Sequence, residues 1–229
     1  MIAAAAASGL AADIAAGLAT LGLNVPEPAQ QKLSGYVDLL AKWNRTYNLT
    51  AIRERADMVA HHLLDSLAVL PALMPRLATT VGLRLLDVGA GAGLPGIPLA
   101  IARPDWDVTL LDSNRKKVAF MTQAAIELDL RNVVPHAARL EEFTPQAQFD
   151  VVIARAFSAL APFVRSSARH LAPGGRLVAM KGLYPAEEIA TLPHDFRILA
   201  VSRLTVPGLA AERHLVIMEP NDASTRAGR

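Results

Sequence analysis

No cysteine occurs in the 229 residues. Structural disulfides, thiolate zinc sites and cysteine nucleophiles are therefore excluded. No uncharged apolar run is long enough to span a bilayer, which predicts a chain with no membrane partner. The N-terminal stretch MIAAAAASGLAADIAAGLATLGL lacks a basic segment before its apolar run, and Asp13 interrupts that run. It therefore predicts an Ala-rich helix rather than a signal peptide, and a soluble, cytoplasmic protein. Charge imbalance is also small: the formal net charge is +2, which by itself says little about nucleic acid. Its distribution says more. Arg139, Arg155, Arg165, Arg169, Arg176, Lys181, Arg197, Arg203 and Arg213 all fall in the later half, and some of these should share a face. No internal repeat is visible.

What is present suits a large core, since 52% of the residues are hydrophobic. Residues 1–80 read as a helical region. Between Glu27 and Tyr47, Leu33, Tyr36, Val37, Leu40 and Trp43 recur at three- and four-residue spacing, the period of one helix face, and Pro26 and Pro28 suit its start. A further helix is expected from Glu54 to Leu70, broken by Pro71 and Pro75. Residues 81–219 alternate strand and helix. Strands are predicted at Leu83–Val88, Asp107–Asp112, Asn132–Pro135, Asp150–Ala154 and Arg176–Lys181, with helices at Ile97–Ala102, Asn114–Leu128 and Ala159–Leu171. Runs apolar on both faces suit a parallel sheet covered by helices on each side. Two last strands, Arg197–Val206 and His214–Glu219, follow with no long helix between them and should pair antiparallel. The polar tail, 220–229, is expected to be disordered.

The sharpest feature is LLDVGAGAGLPG, Leu85 to Gly96. A strand runs into a glycine turn that opens a helix, so a bulky ligand can approach bare backbone. Gly91-Ala-Gly93-Leu94-Pro-Gly96 fits G-x-G-x-x-G, and Asp112 ends the next strand about twenty residues on, as in dinucleotide-binding folds. A nicotinamide-dependent oxidoreductase therefore stays open. Asp87 favours another cofactor. A carboxylate before the first glycine repels a pyrophosphate but suits the sulfonium and ammonium of S-adenosyl-L-methionine. In either case Asp112 can accept both ribose hydroxyl protons.

Asp87 to Ala100 (DVGAGAGLPGIPLA), Leu110–Ser113, Ala154–Phe157 and Glu212–Leu215 resemble the RsmG (GidB) family, bacterial small-subunit (16S) ribosomal RNA guanine-N7 methyltransferases. So do Trp43–Thr50 (WNRTYNLT) and His61–Ser66. The resemblance runs from about residue 30 to 219. It implies a Rossmann-like class I S-adenosylmethionine-dependent methyltransferase fold: α/β, a mostly parallel seven-stranded sheet with an antiparallel last strand, and an N-terminal helical extension. It also implies that Gly89 and Leu94 line the cofactor through the glycine turn, that Leu140 and Glu141 hold the adenine end, and that Arg155 lies beside cofactor and target base. Asp87, Gly91, Gly93 and Asp112 complete the expected cofactor site. The expected partner is small-subunit rRNA or its assembly particle, bound by a monomer. An RNA-binding or assembly protein with a vestigial pocket is the non-enzymatic alternative.

Arg155 ends DVVIARA at the sheet edge where ligands bind in such folds. An arginine there needs a partner, either a nearby acid or the RNA. Lys181, Arg213 and Arg139 are basic rim candidates for RNA contact, individually weak and collectively suggestive. Enzymes that methylate exocyclic amines often carry an Asp/Asn-Pro-Pro-aromatic segment after the fourth strand. Here that place reads Arg155-Ala-Phe157, and an arginine donates where an amine needs an acceptor. Guanine N7 has a lone pair and no proton, so its methylation needs no general base. Asp57, His61 and Asp65 fall at four-residue intervals on one predicted helix stripe, too few to expect a metal.

Overall fold

A computed structural model of the chain describes residues 2–78, 80–155 and 157–221. The expected tail lies outside the described residues from 222 onward. Helix α1 (Ile2–Thr20) is followed by α2 (Glu27–Tyr47). Pro26 caps α2 in an extended conformation, Pro28 falls in its first turn, and Asn48 ends it in the left-handed region (φ 50°). Leu33, Tyr36, Val37 and Leu40 of the apolar stripe are buried. Asn44 then ties the following turn, accepting from the Thr50 amide and donating to the Ile52 carbonyl.

The next helical rod runs from Arg55 to Arg76, past the stop expected at Pro71. It comprises α3 (Arg55–Met58), a π-helical stretch (Val59–Leu64), α4 (Asp65–Leu67), α5 (Val69–Leu73) and a 3-10 turn (Met74–Arg76). Pro71 is tolerated because the helix restarts at Val69, so its missing N–H falls in a first turn, where it has no intrahelical partner to lose. Pro75 opens the 3-10 turn for the same reason. The rod is apolar and long enough to cross a membrane by length and composition, but most of its apolar stretch is buried within the protein, as befits a core helix.

Strands β1 (Arg84–Val88), β2 (Asp107–Asp112), β3 (Val133–Ala137), β4 (Phe149–Arg155), β5 (Leu171–Lys181), β6 (Phe196–Arg203) and β7 (His214–Pro220) form one sheet in the order β3-β2-β1-β4-β5-β7-β6. The first five are parallel, and β7 runs antiparallel to both β5 and β6. The mostly parallel sheet with a reversed last strand is thus as expected. On edge strand β3, Pro135 lies opposite Leu110. On edge strand β6 the register shifts between Ile198 and Ala200.

Helices α6 (Gly96–Ala102), α7 (Arg115–Glu127), α8 (Leu160–Ser167) and α9 (Ala186–Ala190) connect the strands. Asn114 caps α7, its side chain accepting from the Lys116 amide. One apolar cluster joins Leu33, Tyr36, Leu63 and Leu67 of the N-terminal helices to Ile97, Phe120, Val178 and Ile217, covering one face of the sheet. A second, built on Phe163, Val164 and Leu177, fills the other face. The β3–β4 connection carries only a turn at Leu140–Glu142 in place of a helix. The adjoining face of β1–β3 therefore keeps an open groove of about 590 Å³, bordered by Arg84, Thr109, His136, Glu142 and Phe143.

Candidate active site

Parallel register places Asp112, Arg155 and Lys181 at one edge of the sheet, the edge where crossover loops leave room for ligands. Antiparallel β7 begins there, with His214 opposite Lys181, so Arg213 reaches the same rim. A cavity of about 430 Å³ opens at this edge. Gly89, Asp112, Arg139, Leu140 and Glu141 border it, together with Lys117 and Phe157. Glu142, one residue on, faces the separate groove described above.

Asp112 is aimed by backbone. Its Oδ2 accepts from the Gly91 amide at 2.9 Å and its Oδ1 from the Asn114 amide at 2.8 Å. A carboxylate offers about four lone-pair sites, so each oxygen retains one for a ribose hydroxyl. The Gly91 bond also draws the glycine turn against the end of β2. Gly89 has φ +68°, and a Cβ added there would meet no atom within 4 Å. The floor of the cavity at Gly89 is therefore bare backbone facing open space. Lys117 Nζ lies 3.8 Å from Asp112 Oδ2. Nothing in the sequence singled it out, although its place in the first turn of the helix after Asp112 is the signal that could have. Phe157 packs on Phe163, ring centroids 5.2 Å apart, and turns its remaining surface to the cavity wall.

Other expected cofactor residues stand behind that surface. Leu94 is buried in the apolar core, 3% exposed. Gly93 (φ +81°) leaves room only for Ile97, whose Cδ1 would lie 2.3 Å from an added Cβ. Asp87 is fully buried. Its Oδ2 accepts from the Gly96 amide at 2.8 Å, while Oδ1 has no hydrogen-bond partner among the described residues. Burial pushes this carboxyl up to about 7, against the opposing pull of the Gly96 amide and Arg155. A buried acceptor left unpaired next to a glycine turn fits a cationic ligand and opposes a pyrophosphate. The N-terminal layer touches the same turn, with the Tyr36 hydroxyl donating to the Ala92 carbonyl at 2.7 Å. Burial of that phenol raises its pKa far above the usual range, so it stays a donor.

Gly96 is where turn, strand and helix close on one another. An added Cβ would lie 2.2 Å from Leu110 Cδ2 and 2.9 Å from Asp87 Oδ2. Gly96→Ala should therefore destabilise the chain by about 2–3 kcal/mol, a fall of roughly 5–10 °C in melting temperature for a chain this size. A thermal melt within 1 °C of the wild type, on an order-of-magnitude scale set by the same principle, would contradict this packing.

The basic residues separate into two groups. Arg176 and Arg197 both bind Glu219, at 2.8 and 2.6 Å, at the opposite edge of the sheet. Lys181 is mostly buried, bonding Glu188 at 2.8 Å and the Phe157 carbonyl at 3.1 Å. It is neither a free surface lysine nor an uncommitted phosphate contact. Beside it Leu183 and Tyr184 are exposed, 76% and 56%, and Tyr184 meets His214 edge-on at 5.7 Å. Arg139 is exposed on the cavity rim. Arg155 and Arg213 share Asp65, with Arg155 Nη1 3.5 Å from Oδ2 and Arg213 Nε 2.9 Å from Oδ1. The stripe of Asp57, His61 and Asp65 does not persist as one surface: Asp57 is exposed and Asp65 buried. The intervening π-helical turn changes the angular step on which a regular helix depends.

Comparison with known proteins yields a consistent set of relatives. Residues 29–216 match the family described as rRNA small subunit methyltransferase G. The ribosomal RNA small subunit methyltransferase G of Laribacter hongkongensis is 53% identical over 204 residues, 89% of this chain and 95% of that protein. Its counterpart in Aromatoleum aromaticum is 53% identical over 215 residues, 92% of this chain and 99% of that one. Among solved structures, TrmN from Thermus thermophilus superposes with a TM-score of 0.55 at 21% identity, over 71% of this chain and 53% of that one. The glycopeptide N-methyltransferase MtfA, complexed with S-adenosyl-L-homocysteine, gives 0.56 at 15% identity, over 69% and 87%. At such identities the structural likeness establishes the fold, the Rossmann-like one shared by these methyltransferases.

Proposed function

Because the chain belongs to the rRNA small subunit methyltransferase G family, we propose that it transfers a methyl group from S-adenosyl-L-methionine to N7 of a guanine in small-subunit (16S) ribosomal RNA. The observation that carries the cofactor assignment is the cavity at the sheet edge. It combines the bare floor at Gly89 with the backbone-aimed carboxylate of Asp112, and the unpaired oxygen of Asp87 lies buried behind the same glycine turn. Gly89, Gly91 and Gly93 shape the turn. Asp112 receives the ribose hydroxyls, and Leu140 and Glu141 flank the base of the cofactor. Asp87 supplies negative potential from beneath. Gly93 and Leu94 act through the packing that holds the turn, since Leu94 points into the core. The reading of residues 1–80 as a helical region and 81–219 as the methyltransferase domain is part of the same proposal, as is action by a monomer.

The bound cofactor supplies an electrophilic methyl on a sulfonium centre. The protein's task is to place the nucleophile in line with it and to hold out competing water. Guanine N7 attacks through its lone pair and carries no proton, so the site needs no general base. Arg155 donates to guanine O6 or to an adjacent phosphate and leaves N7 open. Phe157 offers a ring edge on the cavity wall against which a base can pack. The N7 edge is inaccessible in a deep A-form groove, so the target guanine is splayed or single-stranded when it enters.

Purified protein should bind S-adenosylmethionine and not NAD(P)H, and should place label from a methyl-labelled cofactor on small-subunit rRNA. Mapping N7-methylguanine in rRNA from cells with and without the gene identifies the product. Unchanged N7 methylation would overturn the substrate assignment. Cofactor binding with no methyl transfer would favour the RNA-binding alternative. Arg155→Ala should lower methyl transfer roughly 100-fold while leaving the circular dichroism spectrum unchanged.

A further inference from the structure

We propose that Asp65 is a positioning residue. From the N-terminal helical layer it holds Arg155 and Arg213 side by side at the ligand edge of the sheet, so that their outward N–H groups grip the RNA phosphate backbone beside the target guanine. The inference rests on the rRNA methyltransferase reading and assigns a role in it to a residue outside the methyl-transfer domain.

The geometry is that of one buried anion between two cations. Asp65 is 2% exposed. It reaches Arg155 at the end of β4 and Arg213 immediately before β7, residues 90 and 148 positions away. The His61 carbonyl also lies 3.4 Å from Arg155 Nη1, and Arg213 Nη1 donates to the Glu212 carbonyl at 2.8 Å. Both guanidinium groups are thus clamped on one side. Both side chains remain 25% exposed on the other.

The charges do not balance within the triad. One carboxylate faces two guanidinium groups. A pair serving stability alone needs one arginine. The second leaves a positive excess at the rim, and an unbalanced charge at low exposure is costly without an anion. Asp87 also lies near Arg155, and burial pushes its carboxyl up to about 7. His62 also lies nearby, and burial with Arg155 lowers it to about 4, so it adds no charge. A guanidinium fork presents paired donors that match phosphate oxygens. The π-helical stretch Val59–Leu64 ends immediately before Asp65. Such insertions turn the residues that follow them and recur at functional sites. Here the insertion precedes the residue that faces inward to the two arginines.

The test compares wild type with Asp65→Asn, which keeps the shape and removes the charge. Equilibrium binding of 16S rRNA, methyl-transfer kinetics with varied RNA, and S-adenosylmethionine binding by calorimetry are each measured. If the arginines act as diffuse positive charge, removing Asp65 makes the rim more positive and RNA binds more tightly. If Asp65 positions them, RNA binding weakens roughly tenfold, the KM for RNA rises in parallel, cofactor affinity is unchanged, and Asp65→Glu recovers part of the loss. Should Asp65→Asn fail to fold, Arg213→Lys keeps the charge and removes the fork, and is expected to raise the KM for RNA about fivefold on the same basis. RNA binding that is unchanged or tighter in the tested variant overturns the proposal, as does an equal loss of cofactor affinity. A wild type that binds rRNA but transfers no methyl group refutes the catalytic reading. The binding comparison still decides the role of Asp65.

Discussion

Gly89→Ala should weaken cofactor binding severely while leaving the protein folded. Gly89 has φ +68° and its missing Cβ would enter open space. The cost to stability is therefore that of placing an L-residue in the left-handed region, about 1–2 kcal/mol. The same methyl stands on the floor of the 430 Å³ cavity. Displacing a ligand packed on that floor costs about 2–3 kcal/mol, or roughly 30–150-fold in dissociation constant. Gly82 provides the control. It too has a positive φ, +65°, with nothing within 4 Å of an added Cβ, but it lies before β1, away from the cavity. Gly82→Ala should lower the melting temperature as much as Gly89→Ala and leave S-adenosylmethionine binding intact. Calorimetric titration of the two variants tests the pair. Equal cofactor affinity in both would refute the placement of the ligand over Gly89.

The second large effect is on pH. Asp87 titrates near 7 in the folded protein against an ordinary value of 3.8, because burial disfavours its charge. Between those values the folded state binds the extra proton, so stability falls as pH rises from about 4 to 7, by at most about 1.4 kcal/mol per unit, and levels off above 7. A cationic ligand favours the ionised form. S-adenosylmethionine should therefore bind more tightly as pH rises toward 7, by up to about tenfold per unit, with a proton released on binding. Above 7 the carboxylate is already ionised and the gain stops. Calorimetry in buffers of differing ionisation heat counts the proton. Asp87→Asn should flatten both the affinity and the stability profiles. Tighter binding at lower pH would refute the role given to Asp87.

Much of this architecture was legible from local pattern. The span Asp107–Asp112 agrees with β2 at both ends, because a short apolar run between turn residues has little freedom to be anything else. The two closing strands, joined by a loop, pair antiparallel as chain geometry requires. The family resemblance drawn from LPGIPL, the segment that begins with Arg155 at the end of β4 and the segment Asn48–Thr50 is that of the family to which the chain belongs. Local pattern failed where a local rule was overridden. Pro71 predicts a stop, and a helix restart at Val69 absorbs it. The short helix α9 has too few residues to show a period. The π-helical turn left no mark in the sequence, so Asp57 and Asp65 looked equivalent. Most of all, spacing does not reveal partners distant in the chain. Arg155 could be read as needing an acid or an RNA, and only the fold shows which acid is within reach. Likewise the sequence places Lys181 among the basic rim candidates for RNA contact, and only the fold shows that Glu188 holds it.

The two free borders of the sheet have a consequence for the protein in concentrated solution. A border strand normally exposes a row of unpaired amides and carbonyls that another chain can extend. On β3 that row is broken by Pro135, which has no amide hydrogen to offer. On β6 the displaced register between Ile198 and Ala200 puts an extra residue in the row and bends the strand out of regular pairing. Two copies meeting border to border find no continuous ladder at either end. The sheet stops at seven strands, and chains crowded together are protected from growing into a larger one.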